Sequence, residues 1–292
     1  MSEWPSIEEP ELLRRLALDD EGFAEFVAEL LGALPARSCD AAAIAQAIDY
    51  PWERPAGSYL LAGGVVSPLE EMGPAVRDGA LARFAAPHGG RLPVLSIGSN
   101  AAPATLERKF AHFEDEADRT VLALTGHLHG FDVGVAPQPA LYGSLPATLF
   151  PSPGTAVRTA ALWVTTSQLT QLAWSELSYR LGRLRARFEI DGGEGFEEVL
   201  VFVSRFGAFC PGGAAAALAA IPARGRTAPE LTQEQLLDAA ARLALGPEAD
   251  AGALVRAIFE APAELLPKLA GSVHRAARPF ESERWTPFPA AA

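Results

Sequence analysis

Residues 92–100 read LPVLSIGSN. Residues 92–97 form an apolar run of the length of a buried strand. Gly98, Ser99 and Asn100 then turn the chain just before Pro103, which suits the first position of a helix over PATLERKFAHF. Gly98 lets backbone approach a ligand, and successive N–H groups at such a strand-to-helix turn make a nest for a carboxylate. The plain alternative is an ordinary Gly-Ser-Asn turn.

Downstream, VLALTGHLHGFDVGVA (121–136) predicts a strand pair or one bent strand. TAALWVTT (159–166), LRARFEI (184–190) and EEVLVFVS (197–204) predict further strands. Only short helices interrupt them; one is QLTQLAWSEL, with Thr166 or Ser167 as its cap. Five or more closely spaced strands without a long helix between each pair predict an α+β fold, a mixed or antiparallel sheet or small barrel, and exclude a Rossmann pattern.

The flanks read differently. Over residues 7–48, Leu12, Leu13, Leu16, Phe23, Phe26, Val27, Leu30 and Leu31 recur at three and four, with Asp20 and Asp40 as N-cap candidates. Residues 50–90 are punctuated by Pro and Gly around a short apolar piece at 59–61, and form an ordered wrap because Trp52 and Tyr59 are costly to leave in water. Beyond Cys210, helices are expected over 214–220, 231–245 (capped at Thr232 or Glu230), 251–260 and 262–270, before a Pro-rich tail. The division is a helical N-terminal extension and wrap (1–90), the barrel (91–210) and a helical C-terminal extension (211–292).

Composition narrows the function. The chain has 292 residues, 49% of them apolar, enough for a sizeable core. Its 24 Lys and Arg against 36 Asp and Glu give a net charge of −12, which argues against nucleic acid as a partner. Cys39 and Cys210 have no second thiol or histidine at ligand spacing, so neither zinc nor a disulfide framework is expected. No run reaches the roughly 18 apolar residues of a membrane span, and the start MSEWPSIEEPELLRR is acidic, so the expectation is a cytoplasmic protein away from membranes.

No phosphate loop of the GxxxxGK[ST] form and no GxSxG elbow is present. His127 and His129 share one strand face, one way to seat a metal, but no third ligand is placed by the sequence. Solvated or hydrogen-bonded barrel residues are the better reading, and no metal or cofactor is expected. Arg183, Arg185 and Arg187 also share a strand face. Either they hold an anionic substrate or the acidic partner of a homodimer, or they pair with Glu194, Glu197 or Glu198 on the next strand.

LPVLSIGSN, followed by YGSLPATLFPSPGTAVRTAALWVTTSQLTQLAWSELSY, resembles the gamma-glutamylcyclotransferase-like family over residues 92–204. That family carries a strand then Tyr-Gly-Ser-Asn, a small-residue strand, a Ser-Pro-Gly turn, a second strand, a helix and a glutamate. The resemblance implies a mixed β-barrel and a metal-free, cofactor-free reaction. The alpha-amine of a small-molecule substrate attacks its own gamma-glutamyl amide and releases 5-oxoproline. The matching general base is Glu176, and the residues against the substrate are Ile97, Gly98, Ser99 and Asn100. Read from the residues alone, Glu176 ends an amphipathic helix among Leu172, Trp174 and Leu177, where desolvation suits a carboxylate to proton transfer, or else it is a solvated helix-end carboxylate.

Two positions depart from the family. Ile97 stands where it has tyrosine, and Leu177 where it commonly has glycine. Tyr142 and Tyr179 are the candidates for a replacement hydroxyl; their alternative is as half-buried barrel aromatics. A second class of function stays open, a non-catalytic small-molecule-binding or scaffold protein on the same fold. An enzyme should present Glu176 to a cavity floored by residues 98–100, whereas a scaffold should fill that cavity with Trp52, Tyr59 or another side chain of the extensions.

Overall fold

The computed structural model describes residues 4–5, 7–32, 35–85 and 90–288; the turn read at residues 86–89 and the last residues of the Pro-rich tail lie outside them. The N-terminal part is helical: α1 (Pro10–Leu16), α2 (Asp20–Gly32) and α3 (Ala41–Ile48). Asp40 caps α3 by accepting the Ala43 N–H at 2.8 Å. The cap of α2 falls one residue earlier than expected. Asp19 accepts the Gly22 N–H at 2.8 Å, and Asp20 is already helical.

The wrap then forms a hairpin, β1 (Tyr59–Ala62) and β2 (Val65–Pro68), followed by α4 (Pro74–Phe84). Next come β3 (Leu92–Ser96), α5 (Pro103–Phe110), α6 (Glu116–Arg119), β4 (Val121–Val135), β5 (Ala147–Val164), α7 (Thr166–Ser175), β6 (Tyr179–Ile190) and β7 (Gly195–Ser204). Helix α7 is capped by Thr165, not by Thr166 or Ser167. Its hydroxyl accepts the Gln168 N–H while the Gln168 side chain returns to the Thr165 N–H, a reciprocal box that only the residue three before a Gln can make.

Five strands close on themselves. β3 pairs antiparallel with β5 (Leu95 opposite Ala161) and parallel with β7 (Val94 opposite Leu200). β7 pairs with β6, β6 with β4 (Leu128 opposite Phe188), and β4 with β5 along almost its whole length. The result is a closed, mixed five-stranded barrel in an α+β chain. The β1–β2 hairpin adds to β4 (Leu60 opposite Leu122), so the wrap is hydrogen-bonded into the sheet.

β4 is one bent strand, not a pair. Its register against β5 slips between His129 (opposite Ala156) and Phe131 (opposite Pro151). Gly130 and Gly154, at φ +84 and +85, take the left-handed conformations the slip needs. The Ser152-Pro153-Gly154 stretch is therefore a bulge within β5 and not the turn expected of it.

One apolar layer joins the barrel strands to the C-terminal helices α8 (Gln233–Leu245), α9 (Ala251–Glu260) and α10 (Pro262–Ser272), through Leu184, Val201, Leu237 and Leu254. A second joins Val94, Leu162 and Leu200 to Leu106 of α5, Leu169 of α7 and Leu12 of α1. Each fully buried leucine contributes roughly 1.5–3 kcal/mol. Thr232 caps α8 with a second reciprocal box.

The helix expected over 214–220 is absent. Residues 215–218 are buried, and Ala217–Leu218 forms a short parallel bridge with Glu230–Leu231. The alanines favour helix by propensity, but their small side chains let this backbone pack against β4. There the Ala216 carbonyl comes so near Gly134 that a Cβ would stand 2.5 Å from it. Buried backbone needs partners, and Pro229 and Leu231 supply carbonyls at 2.8 and 2.9 Å.

Candidate active site

β3 delivers the chain to Ile97 and Gly98, after which Ser99–Ala101 makes one 3-10 turn. Its hydrogen bonds run from the Ala101 N–H to Gly98 and from the Ala102 N–H to Ser99, at 3.0 and 2.9 Å. The N–H groups of Gly98 and Asn100 have no carbonyl partner among the described residues, and that of Ser99 faces the Tyr50 oxygen. Gly98 needs to be glycine for space: a Cβ there would stand 2.3 Å from the Tyr50 hydroxyl and 3.0 Å from the Ala147 methyl. A phenol occupies the place of its side chain.

Glu176 follows the last residue of α7, and its surroundings differ from the apolar ones expected. Its Oε1 accepts the Asn100 side-chain amide at 2.9 Å and lies 3.3 Å from the Lys109 ammonium. Lys109, in the last turn of α5, also donates to Asn100 Oδ1 and Ser175 Oγ, both at 2.7 Å. Trp174 turns away, its indole donating to Glu9 at 2.6 Å. Among the described residues Oε2 has no partner. One carboxylate oxygen is anchored and the other is open, an arrangement that fixes the group while leaving it able to take a proton.

Three phenols complete the wall. Tyr179, on β6, donates to the Ala147 carbonyl at 2.9 Å, and the Ala147 N–H donates to Tyr50 at 2.8 Å, so one residue's backbone is held between two phenols. Tyr142 stacks on Tyr50 with ring centroids 6.3 Å apart and touches Trp52 at 5.1 Å. Burial pushes the Tyr50 hydroxyl up to about 12. Burial, with the neighbouring Tyr50 and Glu176, also raises Tyr142 and Tyr179 well above the usual range. All three are neutral donors at physiological pH. The Ser96 hydroxyl is buried, has no partner among the described residues and belongs to a residue on the same wall.

These groups enclose a cavity bordered by Tyr50, Ile97, Gly98, Ser99, Asn100, Tyr142, Glu176 and Tyr179. The structure thus places every sequence-read site residue around one space, with Ile97 as an apolar border. About 40 Å³ is open to the centre of a water molecule, room for a few waters. Tyr50 and Lys109 went unread in the sequence. Tyr50 lies in a wrap without periodicity. Lys109 had one faint signal, since the chain contains only two lysines.

Elsewhere the plain readings fit. His129 is 3.0 Å from Glu189, and His127 is 3.8 Å from Asp191, with burial holding its pKa below the ordinary value. Arg183 and Arg185 meet Glu198 at 3.2 and 3.8 Å, and Arg187 meets Glu197 at 3.3 Å. Glu194 makes none of these pairs. Cys39 and Cys210 are free thiols. Among the described residues no group of three or more His, Cys, Asp or Glu side chains could hold a metal, and no helix is long and apolar enough to cross a membrane.

No protein-family model matches the chain, and no curated protein matches it. Solved structures do resemble it in part. A gamma-glutamyl cyclotransferase is similar over 39% of this chain and 66% of its own, at 15% identity and a TM-score of 0.32. An uncharacterized protein from Homo sapiens matches over 39% of this chain and 67% of its own, at 16% identity and a TM-score of 0.29. YkqA from Bacillus subtilis matches over 56% of this chain and 52% of its own, at 15% identity and a TM-score of 0.30. The chain spans about two thirds of the first two and about half of the third. Likeness of this extent says nothing of activity.

Proposed function

We propose that the protein is a gamma-glutamylcyclotransferase-like enzyme that releases 5-oxoproline from a small-molecule gamma-glutamyl amide. The observation that carries this reading is Glu176, with Oε1 anchored by Asn100 and Lys109 and Oε2 without a partner on the same cavity as Gly98 and Asn100, whose backbone N–H groups have no carbonyl partner among the described residues. In the proposed reaction the substrate's alpha-carboxylate lies on those N–H groups, and Oε2 takes a proton from the alpha-ammonium. The freed amine attacks the gamma-carbonyl, closing the five-membered ring, and the amide C–N bond breaks. The two protons shed by the alpha-nitrogen leave on the departing nitrogen, one of them carried by Glu176. Positioning, one base and an oxyanion donor suffice.

A gamma-glutamyl head is larger than the free space, so binding requires the wall to open. Tyr142 is the element to move, being half-buried and next to the exposed Leu141. The same closure by Tyr50 and Tyr142 favours the second reading, a non-catalytic binding protein. A panel of gamma-glutamyl amino acids, gamma-glutamyl amines and glutathione, each with its alpha-N-acetylated form, separates them. The enzyme reading expects 5-oxoproline from at least one free-amine member and none from the acetylated forms, which lack the nucleophile. Turnover of acetylated substrates indicates attack by water instead, and thermal stabilisation by the panel without turnover supports the binding protein.

A further inference from the structure

We propose that Tyr50, from the N-terminal wrap, is a catalytic residue of this site, its phenol O–H being the hydrogen bond donor to the oxygen that gains charge when the substrate's amide carbonyl is attacked. This role rests on the cyclotransferase reading above and deepens it.

The buried phenols differ in where each sends its proton. A phenol has one proton to give and lone pairs that accept. Tyr59 gives its proton to the Ala101 carbonyl at 3.0 Å, and Tyr179 to the Ala147 carbonyl at 2.9 Å. Tyr50 is the reverse. Its oxygen accepts the Ala147 N–H at 2.8 Å and is faced by the backbone of Ser99 as well. Among the described residues no carbonyl or carboxylate receives its proton. The oxygen stands where a side chain of Gly98 would begin, 2.3 Å from that virtual Cβ, so it lies at the turn meant to receive the substrate and borders the same cavity as Glu176.

Its setting suits a donor and not a base. Burial keeps the hydroxyl protonated, with a pKa of about 12, while N–H bonds to its oxygen polarise the O–H and strengthen it as a donor. The ring is fixed before any ligand arrives by contacts other than Tyr142, edge-on to Trp52 at 5.7 Å and with its oxygen on the Ala147 N–H at 2.8 Å. Trp52 in turn is held at φ +67, a conformation uncommon outside glycine, with its indole N–H on the Gln46 carbonyl at 2.9 Å. A donor preorganised in this way gains the full benefit of a water-poor site. Residue 50 lies outside the stretch that resembles the family, and Ile97 inside it carries no phenol. The wrap thereby takes part in catalysis, supplying the hydroxyl that position 97 lacks.

The test uses the full chain and two forms of residue 50. Tyr50→Phe keeps the ring and removes the O–H, and kcat should fall about 10²–10³-fold, with KM much less affected. Incorporation of a fluorinated tyrosine at 50 keeps the fold and the hydrogen bond but makes the phenol more acidic. The alkaline loss of kcat should then move to lower pH, a shift that a merely structural phenol would not produce. If the parent turns over and folded Tyr50→Phe matches its kcat, or if the fluorinated protein keeps the parent's pH profile, the proposal is overturned while the cyclotransferase reading stands. If the parent releases no 5-oxoproline from any member of the panel, both fall together.

Discussion

Gly98→Ala tests the packing at the heart of the site. The added methyl would begin 2.3 Å from the Tyr50 oxygen and 3.0 Å from the Ala147 Cβ, both buried, so the phenol has to shift. Forcing one methyl into a filled core costs about 1–3 kcal/mol. Moving the phenol also strands the buried Ala147 N–H, for about another 1–3 kcal/mol. The expected loss is therefore about 2–6 kcal/mol, or roughly 4–12 °C in Tm at about 2 °C per kcal/mol for a chain of this size. Tyr50→Phe alone strands the same N–H and should cost about 1–3 kcal/mol. In the double variant the nearest remaining atoms are the Ala147 Cβ at 3.0 Å and the ring Cζ at 3.4 Å, so most of the clash is gone and the N–H is lost only once. It should cost about 1–3 kcal/mol, against about 3–9 for the sum of the singles. Urea unfolding of the four proteins at one temperature gives the comparison. Costs that add to within about 0.5 kcal/mol would refute the contact between Tyr50 and Gly98.

Arg226 donates twice to the fully buried Asp132, both at 2.8 Å, so Arg226→Met should cost about 3–5 kcal/mol in urea unfolding, and replacing both partners with apolar residues should recover most of it. His274 stacks on Phe206 with its Nε2 buried and unpartnered, and burial lowers its pKa from 6.5 to about 4. Between those values the unfolded chain binds the proton and the folded one does not. Stability should therefore rise with pH across about 4 to 6.5 and be lost as pH falls through that window; His274→Phe should flatten the slope of a pH series of thermal melts.

Much of this was legible from local pattern. The 121–136 run announces strand because its apolar residues are interrupted by Gly126, Gly130 and Gly134, which disfavour a helix, and α8 to α10 announce themselves through three- and four-residue spacing. What failed was decided by tertiary contact. The 214–220 alanines are helix formers, yet backbone packing at Gly134 overrides propensity. The cap of α7 is a different case, because Thr165 three residues before Gln168 is a local signal, the reciprocal box, that the expected caps Thr166 and Ser167 lack. At the site, the turn at 98–100 was readable because it ends a regular element, whereas Glu176 was singled out by the family resemblance, since the end of a helix alone leaves a solvated carboxylate equally open. Tyr50 was not readable, because nothing local indicates that a phenol 48 residues before Gly98 will occupy its side-chain space. Lys109 likewise becomes part of the site only when α5 is laid beside the end of α7.

The proposed chemistry stands or falls on proton transfer by Glu176. Glu176→Gln preserves an oxygen for Asn100 and Lys109 and so should keep the fold, but it abolishes the proton acceptor. Release of 5-oxoproline from the best free-amine substrate, measured in single turnover for parent and variant at equal folded concentration, should fall about 10²–10⁴-fold. Equal rates in the two proteins would contradict that role.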